Sequence, residues 1–348
     1  MGGGLKHRVI DAGFRAIAAT RADRWLGPLA RGRGLILTLH HVRPASADPF
    51  QPNALLSITP EHLDLSLRLV REMGFELASL DEVPERLASP SEGRPFCVLT
   101  FDDGYRDNRD FALPILRRHD APWTLFVTGE YASGRGRLWW LELEEVIRRT
   151  DRLVLEGEEL SAGTTEEKQS AFARAYSSLR AGPEVVLRDT IARWCEAAGI
   201  APEELVRRNC MSWSELADLS RQPDVTIGAH TLTHPMLAKH PEGVAKHEIE
   251  ASQAMIAERL GTAPRHLSYP VGDPTSAGPR EFRLAAEAGY QTAVTTRPGH
   301  LFPEHAHHLM ALPRVSLNGL YQSEAALRAL LSGVPFLLWN RGRHLNVG

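Results

Sequence analysis

An α/β fold built on a barrel-like parallel sheet is predicted by three features of this sequence. Short β-forming runs alternate with helix-patterned segments through its early part. Two of those runs, at residues 95–101 and 225–229, stop abruptly at side chains able to bind a metal: Asp102 and Asp103 after the first, His230 and His234 after the second. With 348 residues and 43% hydrophobic content, the chain can bury a full core, as one large α/β domain with extras or as two domains.

Composition removes several classes of function. A net charge of -3 argues against a general nucleic-acid binder. Cys97, Cys195 and Cys210 are odd in number, widely spaced and without a Cys-x-x-Cys, which excludes a disulfide framework or a structural zinc site and fits a reducing compartment. No glycine-rich phosphate loop follows a strand, so no organic cofactor is expected. Residues 1–33 hold no apolar run long enough for a signal-peptide core or a transmembrane segment, and the expected location is cytoplasmic. That segment carries seven Lys and Arg against Asp11 and Asp23, a net +5, with Leu5, Val9, Phe14 and Ile17 near helical spacing. Such a helix either packs on the barrel or lies peripherally on the inner face of the membrane.

The elements follow in order. Residues 35–42 read as the first core strand, ending in His40 and His41. Thr59 is placed to cap a helix over 60–73 that turns at Gly74, followed by a short strand over 75–80 and a short helix over 81–88. The run 95–101 reads as a buried strand. Neighbouring side chains of a strand point to opposite faces, so Asp102 and Asp103 serve one site only if the strand stops and turns, which Gly104 permits. The plainer alternative is that both cap a helix starting near Arg106. A helix over 108–118 and a strand over 123–128 continue the alternation.

From about residue 129 to 210 the pattern changes. A helix over 139–149, a hairpin over 151–160 and two amphipathic helices form a mainly helical inserted subdomain. Trp139 and Trp140 are either core or a platform for a sugar ring. His230 and His234, four apart, can converge on one ion from a helical turn or a tight loop. One Asp with two His leaves positions open for water, as in a catalytic site. A helix over 242–260 ends at Gly261, a strand covers 266–269, and a late strand carries Arg314. The apolar stretch 334–339 could close the barrel, pair subunits or touch membrane, closure being the plainest assignment. The chain divides into a basic segment (1–33), a barrel (34–320, with 129–210 inserted) and a C-terminal helix and tail (321–348).

Thr100-Phe101-Asp102-Asp103-Gly104 followed by His230-Thr231-Leu232-Thr233-His234 resembles the two signature motifs of the polysaccharide deacetylases, the NodB-homology group of carbohydrate esterase family four. The resemblance spans roughly residues 34–320. It implies a distorted (β/α) barrel of the NodB-homology type and one divalent metal ion, usually zinc, held by Asp103, His230 and His234. It further implies Asp102 as catalytic base and the backbone N–H of Tyr105 as an oxyanion donor. The stretch ending in His40 and His41 resembles the Tyr-His-Arg-Val of the poly-N-acetylglucosamine deacetylase branch, where the catalytic acid has moved to the N-terminal side by circular permutation. Ungapped alignment on Val42 and Arg43 puts His40 on that acid, with His41 the neighbouring alternative. A histidine of near-neutral pKa suits protonation of a leaving amine. The segment 211–216 resembles the Trp-containing stretch before the His motif of this branch.

Two departures stand out. Ser268-Tyr269-Pro270-Val271-Gly272 occupies the third motif without its usual arginine, and the late Leu-x-His acid motif is missing near residues 315–318. Arg314 is the candidate to replace the first, His40 the second. The implied reaction is hydrolysis of the acetamido group of N-acetylglucosamine units in an N-acetylated oligo- or polysaccharide. The competing readings are a hydrolase of a non-sugar amide and a catalytically silent carbohydrate-binding relative. A glycosidase is disfavoured, because its two carboxylates stand about 5 Å or more apart and free of metal.

Overall fold

The structure is a computed structural model that describes residues 2–89 and 93–347. Eight strands make its core: β1 (Gly34–Leu39), β2 (Glu76–Ala78), β3 (Phe96–Phe101), β4 (Trp123–Val127), β5 (Val225–Ala229), β6 (His266–Ser268), β7 (Thr292–Pro298) and β8 (Leu312–Ser316). Their order is β1-β8-β7-β6-β5-β4-β3-β2, all parallel, and β1 pairs along its length with β3 to close a ring. Since β1 takes one side of β3, the short β2 and β4 share the other, β2 along Phe96, Cys97 and Val98 and β4 along Leu99, Thr100 and Phe101. That shared edge is the distortion of this (β/α) barrel. β1 and β3 are buried at every position, as strands covered on both faces must be, which is why both read as unbroken apolar runs.

Helices pack outside the ring. Thr59 caps Pro60–Glu72, accepting the His62 N–H. The 108–118 segment opens with a π turn at Asn108–Ala112 before the α-helix Leu113–Arg118. Gly2–Thr20 packs on the helix Glu324–Ser332, burying Phe14 edge-on against Tyr321 at 5.2 Å, so the barrel-packed placement of this helix is the one adopted. Among the described residues no helix is long and apolar enough to cross a membrane.

A second hydrophobic cluster forms around Trp139–Arg149, the hairpin Arg152–Leu155 with Glu158–Ser161, and the helices that follow. Those helices number three, not two: Thr165–Ala181, Glu184–Ala197 and Pro202–Asn209. The third is short and starts on a proline at its first position, which sets it apart from its predecessor. The stretch 334–339 does not close the barrel. β1 does that, held between β3 and β8, while Val334–Trp339 is a short helix outside the ring, beginning directly after the left-handed cap Gly333.

Candidate metal centre

All strands point one way, so their C-terminal ends form one face of the barrel, where the site lies. At the end of β3 the Asp102 N–H still donates to the Leu39 carbonyl, and then the chain turns through two left-handed residues, Asp103 (φ 72°) and Gly104 (φ 68°). Asp tolerates that region better than most side chains and Gly adopts it freely. The turn brings both carboxylates, each 2% exposed, to the same site. Neither is used as a helix cap.

Asp103 Oδ1 lies 3.4 Å from His230 Nε2 and 3.2 Å from His234 Nε2, with all three residues buried. The His230 Nδ1–H donates to the Ser268 carbonyl at 2.7 Å, so its Nε2 presents a lone pair toward Asp103. Asp103 Oδ1 receives no aligned hydrogen bond. Lone pairs from one carboxylate and two imidazoles thus converge in a buried space, an arrangement that a cation resolves. Burial by itself raises the Asp103 pKa, but the two histidines hold it well below the usual carboxylate value. The donor set fits one divalent ion with open positions.

The His loop is irregular, with Thr231 (φ 62°) and His234 (φ 61°) left-handed, and it is held from two sides. Glu248, on the helix Glu242–Leu260, accepts the N–H groups of Leu232 and Thr233 at 2.9 and 2.8 Å and the Thr233 hydroxyl at 2.6 Å. From the inserted helix Glu184–Ala197, Arg188 donates to the His234 carbonyl at 3.0 Å, and Glu184 accepts the Met236 N–H at 2.7 Å. Partners that orient ligands typically contribute about 10–100-fold in metal affinity. Glu248→Gln is therefore expected to weaken metal binding about tenfold or more in a chelator competition, whereas an unchanged affinity would show that the loop holds without this carboxylate.

Arg314 reaches from β8 to Asp102 in a two-pronged contact, Nη1 to Oδ1 at 2.8 Å and Nη2 to Oδ2 at 2.6 Å. Its Nε donates to the Thr295 carbonyl, Nη1 also to Thr100 Oγ1 and Nη2 also to Ser268 Oγ. Burial favours the protonated form of Asp102, but the guanidinium more than offsets it and keeps the carboxyl below its ordinary pKa. Ser268, in the segment that lacks the usual arginine, thus serves both sides, its hydroxyl on Arg314 and its carbonyl on His230.

The two histidines after β1 face different partners. His40 is half-buried; burial lowers its pKa while the charges of Asp103 and Asp102 pull it up. Leu39 pairs with Phe101, so His40 leaves the sheet next to the strand end that carries Asp102. His41 turns away, Nδ1 2.6 Å from Asp107 Oδ2, its ring stacked 3.6 Å from that of Tyr105. The Tyr105 hydroxyl in turn accepts Trp140 Nε1–H at 3.2 Å. Trp139 and Trp140 are both buried, so neither offers a face to a sugar; Trp140 instead lies 5.0 Å from the His234 ring, with Tyr131 stacked on that ring at 5.9 Å. Tyr105 pairs with Cys210 through the Met211 N–H on the Gly104 carbonyl, and among the described residues nothing accepts the Tyr105 N–H.

Just beyond, Arg106 fixes the turn to the end of the inserted helices. It donates to the Arg207, Arg208 and Cys210 carbonyls and holds Glu215 from two nitrogens, at 2.9 and 3.1 Å, with Arg109 adding a third bond at 2.7 Å. The Arg106 bonds, with the Ser212 N–H and hydroxyl on the same carboxylate, depress the Glu215 pKa to about 2. A carboxyl depressed in the folded state adds stability above its unfolded pKa, about 4.3, and loses it as pH falls toward the folded value. Glu215→Gln is expected to be about 1–3 kcal/mol less stable than the parent at pH 7 in urea unfolding. That gap should close between about pH 4 and 2; a pH-independent gap would contradict the assignment.

The fold and this cluster define a class, the parallel (β/α) barrels with a divalent-metal site at their strand ends, an architecture consistent with hydrolysis of C–N amide bonds. Within that class the chain belongs to the polysaccharide deacetylase family, whose sequence model matches residues 90–179 and 186–293, more than half of its length. YxkH of Bacillus subtilis, named as a polysaccharide deacetylase, is 24% identical over 122 residues, which span 34% of this chain and less than half, 44%, of that relative. Among solved structures, the deacetylase PplD of Streptococcus pyogenes superposes with a TM-score of 0.57 at 19% identity, covering 85% of this chain and 97% of that one. IcaB of Ammonifex degensii gives 0.54 at 17%, covering 86% and 98%. A de-N-acetylase of Aggregatibacter actinomycetemcomitans gives 0.54 at 12%, covering 85% and 98%. These likenesses establish the shared fold.

Proposed function

We propose that the chain removes the acetyl group from N-acetylglucosamine units of an oligo- or polysaccharide, releasing acetate. The observation that carries this reading is the juxtaposition of a buried carboxylate, Asp102, oriented by Arg314, with the converging lone pairs of Asp103, His230 and His234. A divalent metal held by those three residues, zinc in our reading, would supply the Lewis acidity that makes a water nucleophilic near neutral pH. Asp102 accepts the proton of the attacking water, its orientation fixed by the two bonds from Arg314. The Tyr105 N–H, which has no acceptor among the described residues, stabilises the oxyanion of the tetrahedral intermediate. His40, directly after β1 and next to the strand end that carries Asp102, donates the proton that lets the amine depart.

A histidine directly after the first strand supports the poly-N-acetylglucosamine deacetylase-like branch. In this reading residues 34–320 form the catalytic barrel, 129–210 an insertion that holds the His234 side of the site, and 1–33 and 321–348 the flanks. The enzyme works in the cytoplasm on a glycan or a glycan precursor. The test is acetate release from N-acetylglucosamine oligomers by purified protein, before and after chelation and zinc restoration. Release that disappears with the metal and returns with it is the expected result. No release from a protein holding one metal per chain would turn the reading toward a non-sugar amide, and a protein that binds no metal toward the silent binding relative.

A further inference from the structure

The end of the barrel opposite the metal centre carries a different kind of surface. Gly27–Ala30 lies just before β1 begins, and the C-terminal helix Val334–Trp339 packs beside it. The junction is tight: a Cβ on Gly333 (φ 78°) would stand 2.3 Å from the Ala30 carbonyl oxygen, so only glycine lets the two segments meet. Around this junction large apolar side chains point outward, with Trp25 63%, Leu29 73%, Leu338 80% and Trp339 57% exposed. Core-facing needs do not account for them. Phe14 and Val334, on the same elements or next to them, are the ones buried.

Charge around this face is predominantly positive. Residues 1–33 and 334–348 together hold nine Lys and Arg against Asp11 and Asp23, a net +7 in a chain whose total is -3. Arg21, Arg24, Arg341 and Arg343 are exposed beside the apolar residues. Asp11 is already paired with Arg15 at 2.7 Å. Adjacent to Pro28 and Arg31, a cavity of about 420 Å³ extends the positive edge with Arg31, Arg33 and Arg94 against Glu85, while Arg86 is ion-paired with Glu82 and Glu76. Trp and Leu flanked by arginines match a bilayer interface, where aromatic rings sit at headgroup level and basic side chains meet anionic phosphates.

We infer that this end of the barrel docks on an anionic phospholipid surface, holding the chain peripherally with its metal centre turned away from the bilayer. The apolar side chains enter the interface, and the arginines supply most of the lipid selectivity. The proposal stands independently of the reaction, because no residue of the face belongs to the metal centre.

The experiment is co-sedimentation of the full chain with vesicles of pure phosphatidylcholine and of phosphatidylcholine mixed equally with phosphatidylglycerol. Binding to the mixed vesicles at least about tenfold tighter, and weakened by added salt, is expected. A Trp25→Ser, Leu29→Ser, Leu338→Ser protein should lose about tenfold or more in vesicle binding, as should an Arg21→Glu, Arg24→Glu, Arg341→Glu protein, each keeping the parent's metal content. Equal partition onto both vesicle types, or onto neither, would overturn the proposal. So would a dimer in sedimentation equilibrium that the serine variant abolishes, since the face would then be covered by a second copy. Retained vesicle binding in both variants would equally remove this face as the docking site.

Discussion

Asp102→Asn is expected to keep its metal and its substrate affinity while kcat falls by about 10²–10⁴, the range that a well-placed general base contributes. The asparagine has the same shape but only one acceptor oxygen, so one prong of the Arg314 contact survives at best. Turnover numbers alone would confuse a lost base with a loosened site. The discriminating set is metal stoichiometry, KM and kcat measured on one preparation. A fall in kcat with metal and KM preserved assigns the proton transfer to Asp102. A fall of less than tenfold would move the base elsewhere in the site.

Arg314→Ala is expected to cost about 3–5 kcal/mol of folding stability, the range for a buried ion pair broken from one side. The guanidinium is 1% exposed as a residue, and its hydrogen bonds reach Asp102, Thr100, Ser268 and the Thr295 carbonyl. Removing it leaves the buried Asp102 carboxylate without its counter-charge. Arg314→Lys restores a charge without the planar fork and should recover only part of the loss. Urea unfolding of parent, Ala and Lys proteins measures both steps. An Ala variant within about 1 kcal/mol of the parent would mean that water or another cation replaces the pair.

The two ends of the site differ in how legible they are in sequence. Asp102 and Asp103 sit next to each other, and His230 and His234 lie four apart, so local patterning suffices to mark them. Arg314 is marked only by a vacancy elsewhere, the missing arginine near Ser268. What joins them is register, because β8 lies beside β1 and β1 beside β3. Glu248 and Arg188 gave no signal, being ordinary charged residues on charged helices whose role exists only once the His loop is seated between them. Asp107, which anchors His41, was equally silent. The stretch 334–339 misled for a general reason: six apolar residues fit a strand or a helix equally by periodicity. Gly333 before it and Pro335 near its start were the cues for a helix.

The closure of the ring through β1 sets an order on folding. β1 is held between β3, about sixty residues downstream, and β8, nearly three hundred away. On the ribosome the first strand therefore keeps an open edge until β8 has emerged, and slow, non-local pairing of this kind exposes intermediates to aggregation. The strand that finally seals the ring is also the one that brings Arg314 to Asp102. Nascent chains and fragments lacking β8 are thus both unsealed and without the Arg314 contact on Asp102. Completion of the barrel and acquisition of a competent site are one event in the life of the polypeptide.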